Sequence, residues 1–137
     1  MSAYPYEVSI PTRWMDADAY GHVNNAEYFS FFDTAVSRWL VEQGGRDLAA
    51  DATIGLCVES SCSYAAPVTF PEEVTAGVRV GRIGRSSVRY ELELRTGRSA
   101  DAVASGSFVH VYVDRASRRP VPIPGSLRDR LESLVPA

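Results

Sequence analysis

The chain contains no lysine, and all 14 of its basic residues are arginine. Schiff-base enzymes, pyridoxal-phosphate enzymes and P-loop phosphate binders each need a lysine amine, so those chemistries are excluded. Histidine and cysteine are scarce, with two of each. Cys57 and Cys62 stand five residues apart in one expected strand and would point to opposite faces. An internal disulfide is therefore not expected, and two buried thiols are. No run approaches the roughly 20 apolar residues of a membrane span. The segment from Met1 to Glu7 lacks a basic stretch followed by an apolar run, so no signal peptide is expected and the cytoplasm is the expected location. A net charge of −3 does not fit a general nucleic-acid binder. Internal repeats and low-complexity tracts are absent.

What is present suits one globular domain over residues 1–137. Apolar residues make up 45% and charged residues 23%, enough for a real core at this length. Tyr6, Val8 and Ile10 alternate with Glu7 and Ser9, predicting a first strand that ends near Thr12. A helix is expected from Asn24, an N-cap residue whose capping box Glu27 completes three residues on. Tyr28, Phe31, Phe32, Ala35 and Trp39 recur at helical spacing opposite Ser30, Thr34, Ser37, Arg38 and Glu42, and Gly44-Gly45 stops the helix. Four alternating strands follow: Leu56 to Tyr64, Val74 to Val80, Val88 to Leu94, and Ser107 to Asp114. The tail from Gly125 to Val135 suits a short surface helix after the extended Pro120–Pro124 segment. A buried helix followed by an antiparallel meander is an α+β plan. The sheet should curl over the aromatic stripe, and its open edges favour a homodimer that pairs edge to edge.

The densest chemistry runs from Asp16 to Tyr28. Two carboxylates, Asp16 and Asp18, an imidazole, His22, and two amides, Asn24 and Asn25, stand just ahead of the expected helix. A carboxylate can attack a carbonyl or activate water, and a helix N-terminus can hold the oxyanion that forms. Those parts suffice to hydrolyse an ester or thioester without a metal. Gly21 suits a tight turn, through positive φ or close backbone approach. Asp18 also suits a loop cap, and Asp16 is better placed to bond backbone amides in the turn than to act as a second acid.

The segment from Arg13 to Tyr28, with Tyr64-Ala65-Ala66-Pro67-Val68, Arg82-Ile83-Gly84-Arg85-Ser86-Ser87 and Val111-Tyr112-Val113-Asp114, resembles the hotdog-fold acyl-CoA thioesterases of the 4-hydroxybenzoyl-CoA thioesterase-like family. The resemblance spans about Tyr6 to Pro124. It implies a five-stranded antiparallel sheet wrapped around one long central helix, assembled as a homodimer or homotetramer. It implies an acyl-CoA substrate and no cofactor beyond the coenzyme A of the substrate itself; the charge and the lack of a long apolar run leave no nucleic-acid or membrane partner expected, and no metal is expected because no second cluster of ligands completes a site.

On this resemblance Asp18 takes the position of the catalytic carboxylate, as nucleophile or general base. His22 is a candidate to orient it or carry a proton, with a loop histidine bonding backbone carbonyls as the alternative. The amide near Asn25 is the candidate oxyanion donor, where some relatives carry histidine. Asn24 is a capping residue and a candidate substrate contact with Gly21 and Tyr64. Phe29, Phe32 and Tyr64 are candidates for the acyl pocket. Six arginines fall between Arg79 and Arg98, and the Arg85-Ser86-Ser87 turn is the candidate for the coenzyme A phosphates. His110 is read as structural. Four other readings stay open: a metal held by Asp16, Asp18 and His22; a hotdog hydratase or dehydratase; a non-catalytic acyl-CoA-binding module; and a thioesterase acting on acyl carrier protein.

Overall fold

The computed structural model describes residues 3–98 and 100–137. Its elements in chain order are β1 (Tyr6–Pro11), a 3-10 turn (Trp14–Asp16), α1 (Glu27–Glu42), β2 (Thr53–Tyr64), β3 (Glu73–Ile83), β4 (Ser87–Thr96), β5 (Ala104–Asp114) and α2 (Gly125–Glu132). The strands form one antiparallel sheet in the order β1-β3-β4-β5-β2. Because β1 and β2 lie at the two edges, the ends of the helical segment between them are tied to opposite sides of the sheet.

Alternation along the strands decides which face is covered. Val74, Ala76, Val78 and Val80 of β3 and Val88, Tyr90, Leu92 and Leu94 of β4 are all buried. On β5 the inward residues are Phe108, His110 and Tyr112. Against this face α1 lays Tyr28, Phe31, Phe32, Ala35, Val36, Trp39 and Leu40, which is the expected stripe widened by two residues. Phe32 meets Phe108 edge-on at 6.0 Å. Gly106 permits that approach: a Cβ there would fall on the Ser61 carbonyl oxygen and 2.9 Å from Phe32 Cε2.

Four expectations need correction. The sheet does not wrap one long helix; it carries two short ones, α1 of 16 residues and α2 of eight. The C-terminal helix is not a surface element, because Leu127, Leu131 and Leu134 are buried in the same core as α1 and the Val80 amide donates to the Leu134 carbonyl. The first helix begins at Glu27, not Asn24, and has no capping box. Asn24 forms a turn of its own: its Oδ1 accepts the Ala26 amide and its carbonyl accepts the Glu27 amide, both at 2.9 Å. Glu27 faces Arg13 instead, at 3.7 Å. Finally, the cysteines are not two buried thiols: Cys57 is exposed and Cys62 partly so. They lie on β2, where a bulge between Cys57 and Glu59 breaks the register and most residues stay open to solvent.

The two edges differ. β1 is six residues long, ends in proline, and is laced by Glu7–Arg95 and Ser9–Glu73 contacts. β2 is 12 residues long, has no strand on its outer side among the described residues, and exposes Val58 by 60% near its centre. A long, apolar, unpaired edge is a template for another strand.

The α1–β5 packing predicts a large loss on truncation. Phe32→Ala should destabilise the fold by about 3–5 kcal/mol, read as a lowered urea midpoint. A change below about 1 kcal/mol would show that α1 is not anchored through this ring.

Candidate active site

Asp16 anchors the loop that carries the site. Its buried carboxylate accepts the Arg13 amide at 2.8 Å and the Arg13 guanidinium at 2.8 and 3.0 Å. Its carbonyl accepts the Asn24 amide, also at 2.8 Å. Ala17 and Val23 then form a bridge, and Val23 donates to the Val68 carbonyl. The five residues between them close into a turn in which Asp18 donates to the His22 carbonyl and Gly21 donates to the Asp18 carbonyl. Gly21 has φ of +79°, with nothing within 4 Å of where a Cβ would sit. Its role is therefore the left-handed backbone and not close packing.

The turn raises the half-buried Asp18 side chain over an open cleft of about 370 Å³. Asp18, His22, Asn25, Tyr28, Tyr64 and the 65–67 segment line it. Asp18 Oδ1 accepts the Tyr20 amide at 2.8 Å, which sets the carboxylate plane. Loop capping and a presence in the cleft thus belong to the same side chain. His22 also lines the cleft, yet its imidazole makes no hydrogen bond to Asp18 among the described residues.

Asn25 enters the cleft just ahead of α1. Its carbonyl accepts the Tyr64 hydroxyl at 2.9 Å. Burial first, and then the neighbouring Cys62, hold the Tyr64 hydroxyl above its ordinary pKa, so it stays a donor. Tyr64 meets Tyr28 edge-on at 4.8 Å. The backbone amides of Val23, Asn24, Ala26, Glu27 and Tyr28 all have acceptors, whereas the Asn25 amide has none among the described residues.

The segment that follows Pro67 of the cleft is held by a separate cluster, in which Arg98 also donates to the Pro67 carbonyl. Thr69 donates both its amide and its hydroxyl to Glu72, and Arg98 pairs with the same carboxylate at 2.6 Å. Burial pushes Glu72 up, but these three donors outweigh it and leave the carboxyl below its ordinary pKa. Trp14 and Phe70 meet edge-on at 5.7 Å.

Several expected residues lie elsewhere. Asn24 and Gly21 shape the backbone but do not line the cleft. Phe32 is fully buried in the core, and Phe29 stacks on Phe108 at 6.5 Å, so neither forms a wall of this cleft. Arg85, Ser86 and Ser87 sit in the β3–β4 turn, at the far end of the strands from Asp18 in the same chain. The length of β3, 11 residues, corresponds to about 33 Å. That turn is braced by Tyr112 donating to the Ser86 carbonyl, Ile123 donating to the Arg85 carbonyl and Arg128 reaching Gly84. Among the six arginines, Arg79, Arg89, Arg95 and Arg98 pair with carboxylates, whereas Arg82 and Arg85 form no ion pair among the described residues. Arg82 is thus as unpaired as Arg85 among the described residues, which its spacing does not reveal. Tyr28, expected as plain core, is core and cleft lining at once.

The metal reading loses one of its three donors. Asp16 is engaged by Arg13, which removes it from any set with Asp18 and His22. No group of three or more histidine, cysteine or acidic side chains converges among the described residues. No helix among them is long and apolar enough to cross a membrane.

Comparison with known proteins adds to this geometry. A family described as the thioesterase-like superfamily matches residues 12–131. The crystal structure of the PA5185 protein from Pseudomonas aeruginosa strain PAO1 is 52% identical, with a TM-score of 0.95 over 98% of this chain and 94% of that one. A thioesterase from Thermus thermophilus, solved with coenzyme A and Zn, is 30% identical, with a TM-score of 0.84 over 98% of this chain and 96% of that one. The long-chain acyl-CoA thioesterase FadM of Escherichia coli (strain K12) is 23% identical over 132 residues, 94% of this chain and 98% of that one.

The two aspartates should separate in a stability assay. Asp16→Ala strands the Arg13 amide and should cost about 1–3 kcal/mol. Asp18→Asn keeps an acceptor for the Tyr20 amide and should unfold within about 0.5 kcal/mol of wild type. Equal melting temperatures for the two variants would refute this division.

Proposed function

The chain belongs to the thioesterase-like superfamily and is a thioester hydrolase, and from that premise we propose that it converts an acyl-CoA and water to a free acid and coenzyme A at the Asp18–Asn25 cleft. The observation that carries this reading is the pairing, in one cleft, of a carboxylate with a backbone amide that has no acceptor among the described residues. The thioester carbonyl oxygen accepts the Asn25 N–H, and the N-terminal end of α1 adds its positive dipole. Asp18 takes a proton from water, the hydroxide adds to the carbonyl carbon, and the negative charge builds on the oxygen at Asn25. The tetrahedral intermediate then expels coenzyme A as a thiolate, which takes the proton that Asp18 had removed from water and leaves as the thiol. If Asp18 attacks directly, the same expulsion yields a mixed anhydride that water opens. Single turnover in heavy-oxygen water separates the routes, because only the anhydride can leave label in the Asp18 carboxylate. His22, at the cleft rim, is the carrier that exchanges the proton with solvent. Gly21 and Asn24 hold the turn, and Tyr64 fixes the Asn25 carbonyl. No cofactor is required.

The substrate site is completed by a second copy. Two-fold self-pairing of β2 about an axis normal to the sheet reverses strand direction, so the Tyr64 end of one strand meets the Thr53 end of the other. The β3–β4 turn lies at the Thr53 end of the sheet. Pairing therefore carries the partner's Arg85, Ser86 and Ser87 toward the Asp18 cleft, where the cations of Arg82 and Arg85 suit the coenzyme A phosphates. This accounts for their separation within one chain.

Thiol release from a panel of acyl-CoAs tests the chemistry. Asp18→Asn should lower kcat by about 100-fold or more with the fold intact, and retention of full activity would sink the assignment. Val58→Glu places a charge at the centre of the β2 edge. It should convert a wild-type dimer to monomer in light scattering and reduce thiol release with it. A wild-type monomer, or a variant that stays dimeric, would overturn the pairing.

A further inference from the structure

The segment between the Asp18 turn and α1 commits its backbone amides in an order that leaves one over. Val23 donates to the Val68 carbonyl and Asn24 to the Asp16 carbonyl, both at 2.8 Å. The amides of Ala26 and Glu27 both go to Asn24. Ala26 donates to its side-chain Oδ1 and Glu27 to its carbonyl, each at 2.9 Å. Tyr28 donates to the Asn25 carbonyl at 3.4 Å. In this run from Val23 to Tyr28, Asn25 alone donates to no described residue.

Asn24 is therefore bonded on three sides, through its amide, its carbonyl and its side chain. The peptide unit that joins Asn24 to Asn25 is planar and trans, so its C=O and N–H point in opposite directions. Glu27 holds the C=O of that unit, which aims the Asn25 N–H the other way. The unit that follows is held at both ends, its carbonyl by the Tyr64 hydroxyl at 2.9 Å and its N–H by Asn24 Oδ1. An N-cap side chain bonds an amide inside the first turn of its helix. Here α1 starts at Glu27, with Ala26 as N-cap and no side-chain cap. The Asn24 side chain thus spends its bond ahead of the helix, on the turn that carries Asn25. Asn25 lines the Asp18 cleft, and Asn24 does not.

We propose that Asn24 is the positioning residue of the oxyanion site, its side chain setting the aim of the Asn25 N–H at the thioester carbonyl oxygen from outside the cleft. The proposal rests on the thioesterase reading of the Asp18–Asn25 cleft and adds what makes the donor ready before substrate arrives. A donor fixed in advance needs no reorganisation as charge builds on the oxygen. A small displacement of such a group is costly to the rate. The same placement makes position 24 sensitive to charge. A carboxylate there would keep the acceptor for the Ala26 amide, yet it would set a negative charge beside the oxygen on which negative charge develops.

The test measures thiol release and melting temperature for three variants at position 24, beside wild type and Asp18→Asn. Asn24→Ala should lower kcat by about tenfold or more with KM within about threefold of wild type. Asn24→Ser returns a neutral acceptor for the Ala26 amide and should recover part of that loss. Asn24→Asp should melt at the wild-type temperature and still lose about tenfold or more in kcat. A side chain that only steadied the turn would leave Asn24→Asp as active as wild type. Full kcat in Asn24→Ala or in Asn24→Asp therefore overturns the proposal. If Asn24→Ala does not fold, the Ser and Asp variants carry the comparison, since both keep the turn and differ in charge; equal kcat in the two overturns it. Release that collapses in Asp18→Asn but survives in every Asn24 variant fells this proposal and leaves the cleft standing. No release by wild type fells both.

Discussion

Phe32 seated against Phe108 and the bare backbone of Gly106 is the contact on which the rest depends. It fixes the height of α1 above β5. The N-terminal end of the same helix borders the Asp18–Asn25 cleft, which Asn25 and Tyr28 line. Its middle lines a second cavity through Asp33, Ser37 and Leu40, opposite His110 and Tyr112 of β5. A side chain at 106 would clash with the Ser61 carbonyl and the Phe32 ring, so the helix could not keep this seat.

Two aspartates two residues apart acquire different duties from their surroundings alone. Asp16 faces inward and meets the amide and guanidinium of Arg13, so its oxygens are taken up and its carboxylate is part of the scaffold. Asp18 stands on the outside of the turn, with one oxygen steadied by Tyr20. The scaffold aspartate holds the turn on which the other stands.

Much of this is legible in the sequence. The strand periods of β3 and β4 and the stripe from Tyr28 to Trp39 require only local alternation and helical spacing, and both are buried as expected. The start of α1 differs from expectation because Asn24 uses its side chain on Ala26, building a turn in place of a cap. Cys57 cannot be placed from periodicity, because whether strand β2 is central or at an edge depends on strand order, which periodicity does not encode. The same holds for Arg85: a favourable residue type in a turn says nothing about which end of the sheet that turn occupies. The Asn25 amide is identified by its place ahead of a helix, but that it lacks an acceptor is a property of the completed hydrogen-bond pattern. The cavity around His110 gives no local sign, since its walls come from α1, β2 and β5, far apart along the chain.

The bond from the Tyr64 hydroxyl to the Asn25 carbonyl joins the end of the outermost strand to the start of the helix. Whatever steadies β2 therefore steadies the amide in the cleft. If β2 is steadied by a second copy, readiness for catalysis obeys mass action. Activity per molecule then falls on dilution, before any unfolding, and a cell could tune turnover through abundance alone.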